Sequence, residues 1–102
     1  MAERVVERTL SDGGLSIHYR LERLGGDLLL TVTGGAAHVG CVVLATHRQS
    51  LTGSGADSAD SSVLNRSGHQ DEFLLRALAE RLSAVAGCAA AAVGGVHYDG
   101  LD

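Results

Sequence analysis

Residues 67–99 read SGHQDEFLLRALAERLSAVAGCAAAAVGGVHYD, and how this stretch divides decides the fold. Leu74, Leu78, Leu82 and Val85 recur at helical spacing, and Leu75, Ala77 and Ala79 widen the stripe into a core-facing surface. Ser67 and Gln70 match a capping box. Glu72 and Arg76 stand four apart in the order that supports a helix, and Gly87 supplies the residue type that commonly ends one. The spacing therefore predicts one amphipathic helix between Ser67 and Gly87. Beyond it, Cys88–Val93 is unbroken small apolar sequence closed by Gly94-Gly95. Its length and closing glycines read as a buried strand, although alanine on its own prefers helix.

Working back towards the N-terminus, Gly13-Gly14, Gly25-Gly26 and Gly34-Gly35 fall about ten residues apart, between strand-like stretches, the spacing of hairpin turns in a meander. Leu15, Ile17, Tyr19 and Leu21 share one parity, and Ser16, His18, Arg20 and Glu22 the other, which describes a strand with one dry and one wet face. His18 falls on the wet face. Asp27–Thr33 and Val39–Thr46 are apolar on both parities, as strands covered on both sides are, by a helix on one face and a partner on the other. From Thr46 to Gly68 the chain turns rich in serine, glycine, alanine and aspartate, with no periodicity over Gly53–Ser62. This segment reads as a long loop of the kind that acts as a lid. The expected fold is α+β: a four-stranded meander, a long loop, one helix and a fifth strand, in a mostly antiparallel sheet with the helix on one face.

Composition narrows the function. The 102 residues make a single domain over 1–102, with 45% hydrophobic and 20% charged residues, a globular balance. The net charge of −4 and only three aromatics, Tyr19, Phe73 and Tyr98, argue against a nucleic-acid surface, which needs cations and stacking platforms. No apolar run reaches the roughly 18 residues of a membrane span, and Met1-Ala2-Glu3-Arg4 does not open a signal peptide. A soluble, cytoplasmic protein is expected. Cys41 and Cys88, in apolar surroundings without a CxxC, read as small core residues.

Three glycine–histidine clusters carry whatever chemistry the chain has: Gly34-Gly35-Ala36-Ala37-His38-Val39-Gly40, Asn65-Arg66-Ser67-Gly68-His69-Gln70-Asp71-Glu72, and Gly94-Gly95-Val96-His97-Tyr98-Asp99. Glycine lets a ligand approach the backbone, and histidine donates, accepts or binds metal. The second cluster opens the helix, where free N–H groups beside Arg66 suit an anion or a phosphate. His69 there equally reads as an exposed residue near a cap, and Asp71 and Glu72 as first-turn acids favoured by the helix dipole. His97 and Asp99 share strand parity, enough to orient an imidazole but short of a metal signature, for no HxxxH, HExxH or CxxC is present. Ser61, Ser62 and Ser67 lie near histidine without a GxSxG elbow, and Gly34–Gly40 lacks the GxGxxG spacing of a dinucleotide site. The residues thus point to a binding protein with no catalytic set of its own. A metal-dependent enzyme using His38, His69, His97 and Asp99 is the weaker alternative.

The run GGxxHxGxVxLA over Gly34–Ala45, then SSVLNRSGHQDE over Ser61–Glu72, the helix, and AAVGGVHYD over Ala91–Asp99 together resemble the LpdD-like proteins. These small proteins are associated with UbiD-type decarboxylases that use prenylated FMN. The resemblance covers residues 27–99. It implies a proteasome-assembly-chaperone-like fold and a non-enzymatic chaperone for reduced prenylated FMN. Such a chaperone carries the cofactor from a flavin prenyltransferase to the decarboxylase. It also implies cofactor contacts at Gly34, Gly35 and His38, at Gly68 and His69, and at Gly95, His97 and Asp99, while the reading of the helix start adds Asn65, Arg66 and Ser67 as candidates beside a phosphate. A flavin is large for a chain of this length, so a homodimer with the site near the subunit interface is expected. The alternative is an accessory subunit that grips the decarboxylase and holds no cofactor.

Overall fold

The computed structural model describes residues 5–49, 57–66 and 72–97. Six strands and one helix follow in chain order: β1 (Val5–Asp12), β2 (Leu15–Leu24), β3 (Asp27–Gly35), β4 (Cys41–Gln49), β5 (Asp57–Asn65), α1 (Glu72–Ala86) and β6 (Ala90–His97). They form one sheet in the order β1-β2-β3-β6-β4-β5, antiparallel throughout except for the parallel pair β3–β6. The α+β class, the mostly antiparallel sheet and the helix packed on it are as the sequence predicts.

Two expectations are corrected. Only β1, β2 and β3 form a meander, because β6 inserts between β3 and β4. The supposed loop also contains a nine-residue strand: β5 pairs with β4 from Cys41↔Asn65 to Gln49↔Asp57. As an edge strand, β5 needs few large residues. Ala59, Ser61 and Val63 share the register face that meets the helix, and Asp60, Ser62 and Leu64 lie on the other. Of the Thr46–Gly68 segment, residues 50–56 and 67–68 lie outside the described residues.

The core lies between α1 and the centre of the sheet. Leu30 and Val32 of β3, Cys41, Val43 and Ala45 of β4, and Ala92 of β6 pack against Leu75 and Ala79 of the helix. Small residues on β4 and β6 let α1 lie close to the sheet, which explains the alanine-rich run. Ser83, wholly buried, donates its hydroxyl to the Cys88 carbonyl at 2.6 Å and so ties the helix to the turn that follows it. Cys41 is a core residue as expected, whereas Cys88 is half-buried outside the core. Among the described residues no helix is long and apolar enough to cross a membrane.

Strand directions fix where function can sit. β5 and β6 both run antiparallel to β4, so β5-α1-β6 is a parallel crossover that straddles β4. The carboxyl ends of β3, β5 and β6 and the start of α1 therefore share one end of the sheet.

Candidate functional site

That end collects the glycine–histidine clusters. Gly35 of β3 pairs with His97 of β6, and the Ala36 amide donates to the His97 carbonyl at 3.1 Å. From there the chain crosses the end of β6 to reach β4, and the Gly40 amide donates to the Gly94 carbonyl at 2.9 Å. The Arg66 amide, just past β5, donates to the Gly40 carbonyl at 2.8 Å. Three segments far apart in sequence are thus stitched by backbone hydrogen bonds into one rim.

His38 lies on this rim with its Nδ1 2.8 Å from the Ala36 carbonyl oxygen. A carbonyl only accepts, so Nδ1 carries the proton and Nε2 is the acceptor of the neutral ring. The His38 and His97 rings meet edge to face, with centroids 6.4 Å apart and an interplanar angle of 85°. Arg66 is exposed and donates from Nη1 to the Val39 carbonyl oxygen at 3.3 Å, which keeps the guanidinium over the rim near the helix start. Asn65 plays another part: its Nδ2 donates to Glu72 Oε1 at 2.6 Å, and Arg76 donates to the other carboxylate oxygen at 3.1 Å. The acid at the first turn is thus occupied by neighbours, which weakens its repulsion of an incoming anion.

Of the expected site residues, the structure brings together Gly34, Gly35, His38, Asn65, Arg66, Gly95 and His97. Ser67, Gly68, His69 and Asp99 lie outside the described residues. Gly34 and Gly95 are buried, and Gly35 is exposed. Register splits the group across the sheet. Asn65 lies on the helix-bearing face with Cys41, whereas Gly95 and His97 lie on the opposite, open face with Val93 and Ala91. A ligand that meets both must wrap the rim.

Beside His97 the open face is apolar: Val42 of β4 pairs with Val93 of β6 and Leu64 of β5, and Leu44 follows on β4. Further out, on β1 and β2, it becomes polar and self-satisfied. Glu7 accepts from His18 Nε2 at 3.2 Å, and Thr9 bonds His18 Nδ1 at 2.9 Å. The wet-face reading of His18 holds. Ser61 donates to Glu80 and accepts from Arg76, so it ties β5 to α1. Among the described residues no three histidine, cysteine, aspartate or glutamate side chains gather as metal ligands would.

Sequence reasoning passed over Gly40 and Gly94 as separate site-building positions. Gly94 has φ of 145°, and a Cβ there would overlap the Val32 carbonyl oxygen. Its GG doublet was visible, but only the pairing of β3 with β6 shows why a side chain is forbidden. No curated protein matches the sequence. The family model for the prenylated flavin chaperone LpdD-like domain matches residues 11–102, which takes in β2 to β6, the helix and the whole rim. The chain belongs to the prenylated flavin chaperone LpdD-like family.

Proposed function

We propose that this protein is a non-enzymatic cytoplasmic carrier of reduced prenylated FMN, taking it from a flavin prenyltransferase and releasing it to a UbiD-type decarboxylase. The observation that carries the reading is the rim itself, where an exposed cation, a helix start and two histidines meet at the carboxyl ends of the parallel strands. Open sheets bind ligands at such ends. An FMN needs an anion site, an apolar wall and a few polar groups that fix its orientation. The residues present fit those needs.

When bound, the prenylated flavin supplies the chemistry of the decarboxylase and none to its carrier. Arg66 and the N–H groups at the start of α1 hold the phosphate, with Ser67, Gly68 and His69 as proposed contacts beside it. Val42, Val93 and Leu44 of the open face form the wall for the ring system, and His97, oriented by His38, hydrogen-bonds its polar edge. Gly34, Gly35 and Gly95 keep side chains away from the turn where the ligand wraps the rim, and Asp99, two residues on from His97 in sequence, is a proposed further partner of its ring. Wrapping leaves much of the ligand open. A second copy of the chain near the site is therefore proposed to complete its cover. Few aromatic contacts and a partly open site suit a carrier that must release its cargo.

The test is anaerobic co-expression with a flavin prenyltransferase, followed by purification and an absorbance spectrum. Stoichiometric flavin absorbance is expected, and a colourless protein overturns the reading. The accessory-subunit alternative instead expects capture of the decarboxylase that survives His97→Ala.

A further inference from the structure

The open face changes character along β3. On its β2 side the polar residues are already engaged: Thr9 and Glu7 hold the two ring nitrogens of His18, and Arg20 reaches Glu7 and Glu22. On its other side the face is apolar, through Val93 and Ala91 of β6 and Val42 and Leu44 of β4. Register places Thr31 and Thr33 of β3 on the seam. Thr31 lies between Arg20 and Val93, and Thr33 between His18 and Gly95. Both threonines are half-buried, yet neither hydroxyl has a hydrogen-bond partner among the described residues. Thr46 and Ser62 share the face farther out, but they stand exposed to water. A hydroxyl half withdrawn from water without a partner gains from a ligand that supplies one.

We infer that Thr31 and Thr33 bind the polar edge of the flavin ring, and that with His97 they form the hydrogen-bonding border of the site. The inference rests on the ligand proposed above and assigns a contact to one part of it. A flavin is apolar over its ring faces and polar along its pyrimidine edge, where two carbonyls flank an N–H. It therefore fits where an apolar floor meets groups that both donate and accept, and hydroxyls do both. Spacing agrees. Val42, Val93 and Thr31 lie in one row across the sheet at about 4.8 Å intervals, so the row spans about 10 Å, the scale of a three-ring system. Thr31 and Thr33 stand about 7 Å apart along β3. His97 is diagonal to Thr33 on the same face, because it pairs with Gly35 while Gly95, which has no side chain, pairs with Thr33. At the far end of the row Leu64 follows Val42, and Arg66 lies two residues beyond it. The phosphate contact and the ring-edge contact thus fall at opposite ends of the site. His18 and Arg20, just past the threonines, are turned to the carboxylates of Glu7 and Glu22 and leave the ring edge to Thr31 and Thr33.

Fluorescence titration of the full chain with FMN, riboflavin and lumiflavin, the last being the ring without the ribityl chain, tests the contact. Valine removes each hydroxyl at nearly constant shape and suits a strand as well as threonine does, so Thr31→Val and Thr33→Val should keep the parent's thermal midpoint or raise it. Each variant should weaken all three ligands by one common factor of about twofold to tenfold, and the double variant should weaken them further. Thr33→Ser keeps the hydroxyl and should bind like the parent, a rescue that a purely structural role would not show. Valine variants that bind all three ligands as tightly as the parent overturn the inference. So does a loss confined to FMN and riboflavin, which would put the threonines on the ribityl chain, and so does a loss that Thr33→Ser shares. A parent chain that binds none of the three refutes the ligand and this contact with it. A parent that binds them and is indifferent to both valine variants refutes the contact alone.

Discussion

Gly94 shows how a single residue sets both stability and site. Its φ of 145° lies where side chains are strained, and any Cβ would strike the Val32 backbone. Its carbonyl, freed to accept from Gly40, anchors the rim. Gly94→Ala should cost about 4 kcal/mol or more, a large share of the roughly 5–15 kcal/mol that hold a domain of this size. Gly14 also has positive φ, 84°, but its Cβ would meet open space, so Gly14→Ala should cost only about 1 kcal/mol. Urea denaturation of the pair separates clash from strain, and equal losses would refute the argument. Arg66 allows a test of function at the same scale. If its guanidinium holds a phosphate, Arg66→Ala should weaken FMN binding about tenfold to a hundredfold and leave riboflavin, which lacks the phosphate, unchanged. Fluorescence titration with both ligands reads this directly. At residue scale the histidines and glycines were legible because their chemistry is local. The division of His97 and Asn65 between two faces was not, because facing depends on register.

Among the elements, α1 was the easiest to read and β5 the hardest, for opposite physical reasons. A helix packed on a sheet must repeat apolar residues every three or four positions, and Leu75, Leu78, Ala79 and Leu82 do so. An edge strand under that helix needs only small residues on one face, and Ala59, Ser61 and Val63 resemble a serine-rich loop unless their alternation is noticed. The insertion of β6 between β3 and β4 had no local signal, because it joins segments about sixty residues apart. The join between α1 and β6 depends on Ser83, the one buried polar residue of the helix. Ser83→Ala should leave the Cys88 carbonyl without that partner and cost about 1–2 kcal/mol. In a thermal melt that is a fall of roughly 4–8 °C per kcal/mol. An unchanged midpoint would show that the carbonyl finds water.

Taken as a whole molecule, the single chain is unevenly built. The helix lies over β4, β5 and β6 and most buried residues belong to β3, β4, β6 and the helix, whereas β1 is exposed along all eight of its residues. Local opening costs what local burial supplies, so peeling β1 from β2 should need far less free energy than opening the central strands. In dilute solution, amides of Val5–Asp12 should therefore exchange with deuterium at least about a hundredfold faster than those of β3, β4 and β6. Amides of β5, on the far edge but covered by the chain's own helix, should exchange more slowly than those of β1. Uniform slow exchange along the whole sheet would refute the uneven picture.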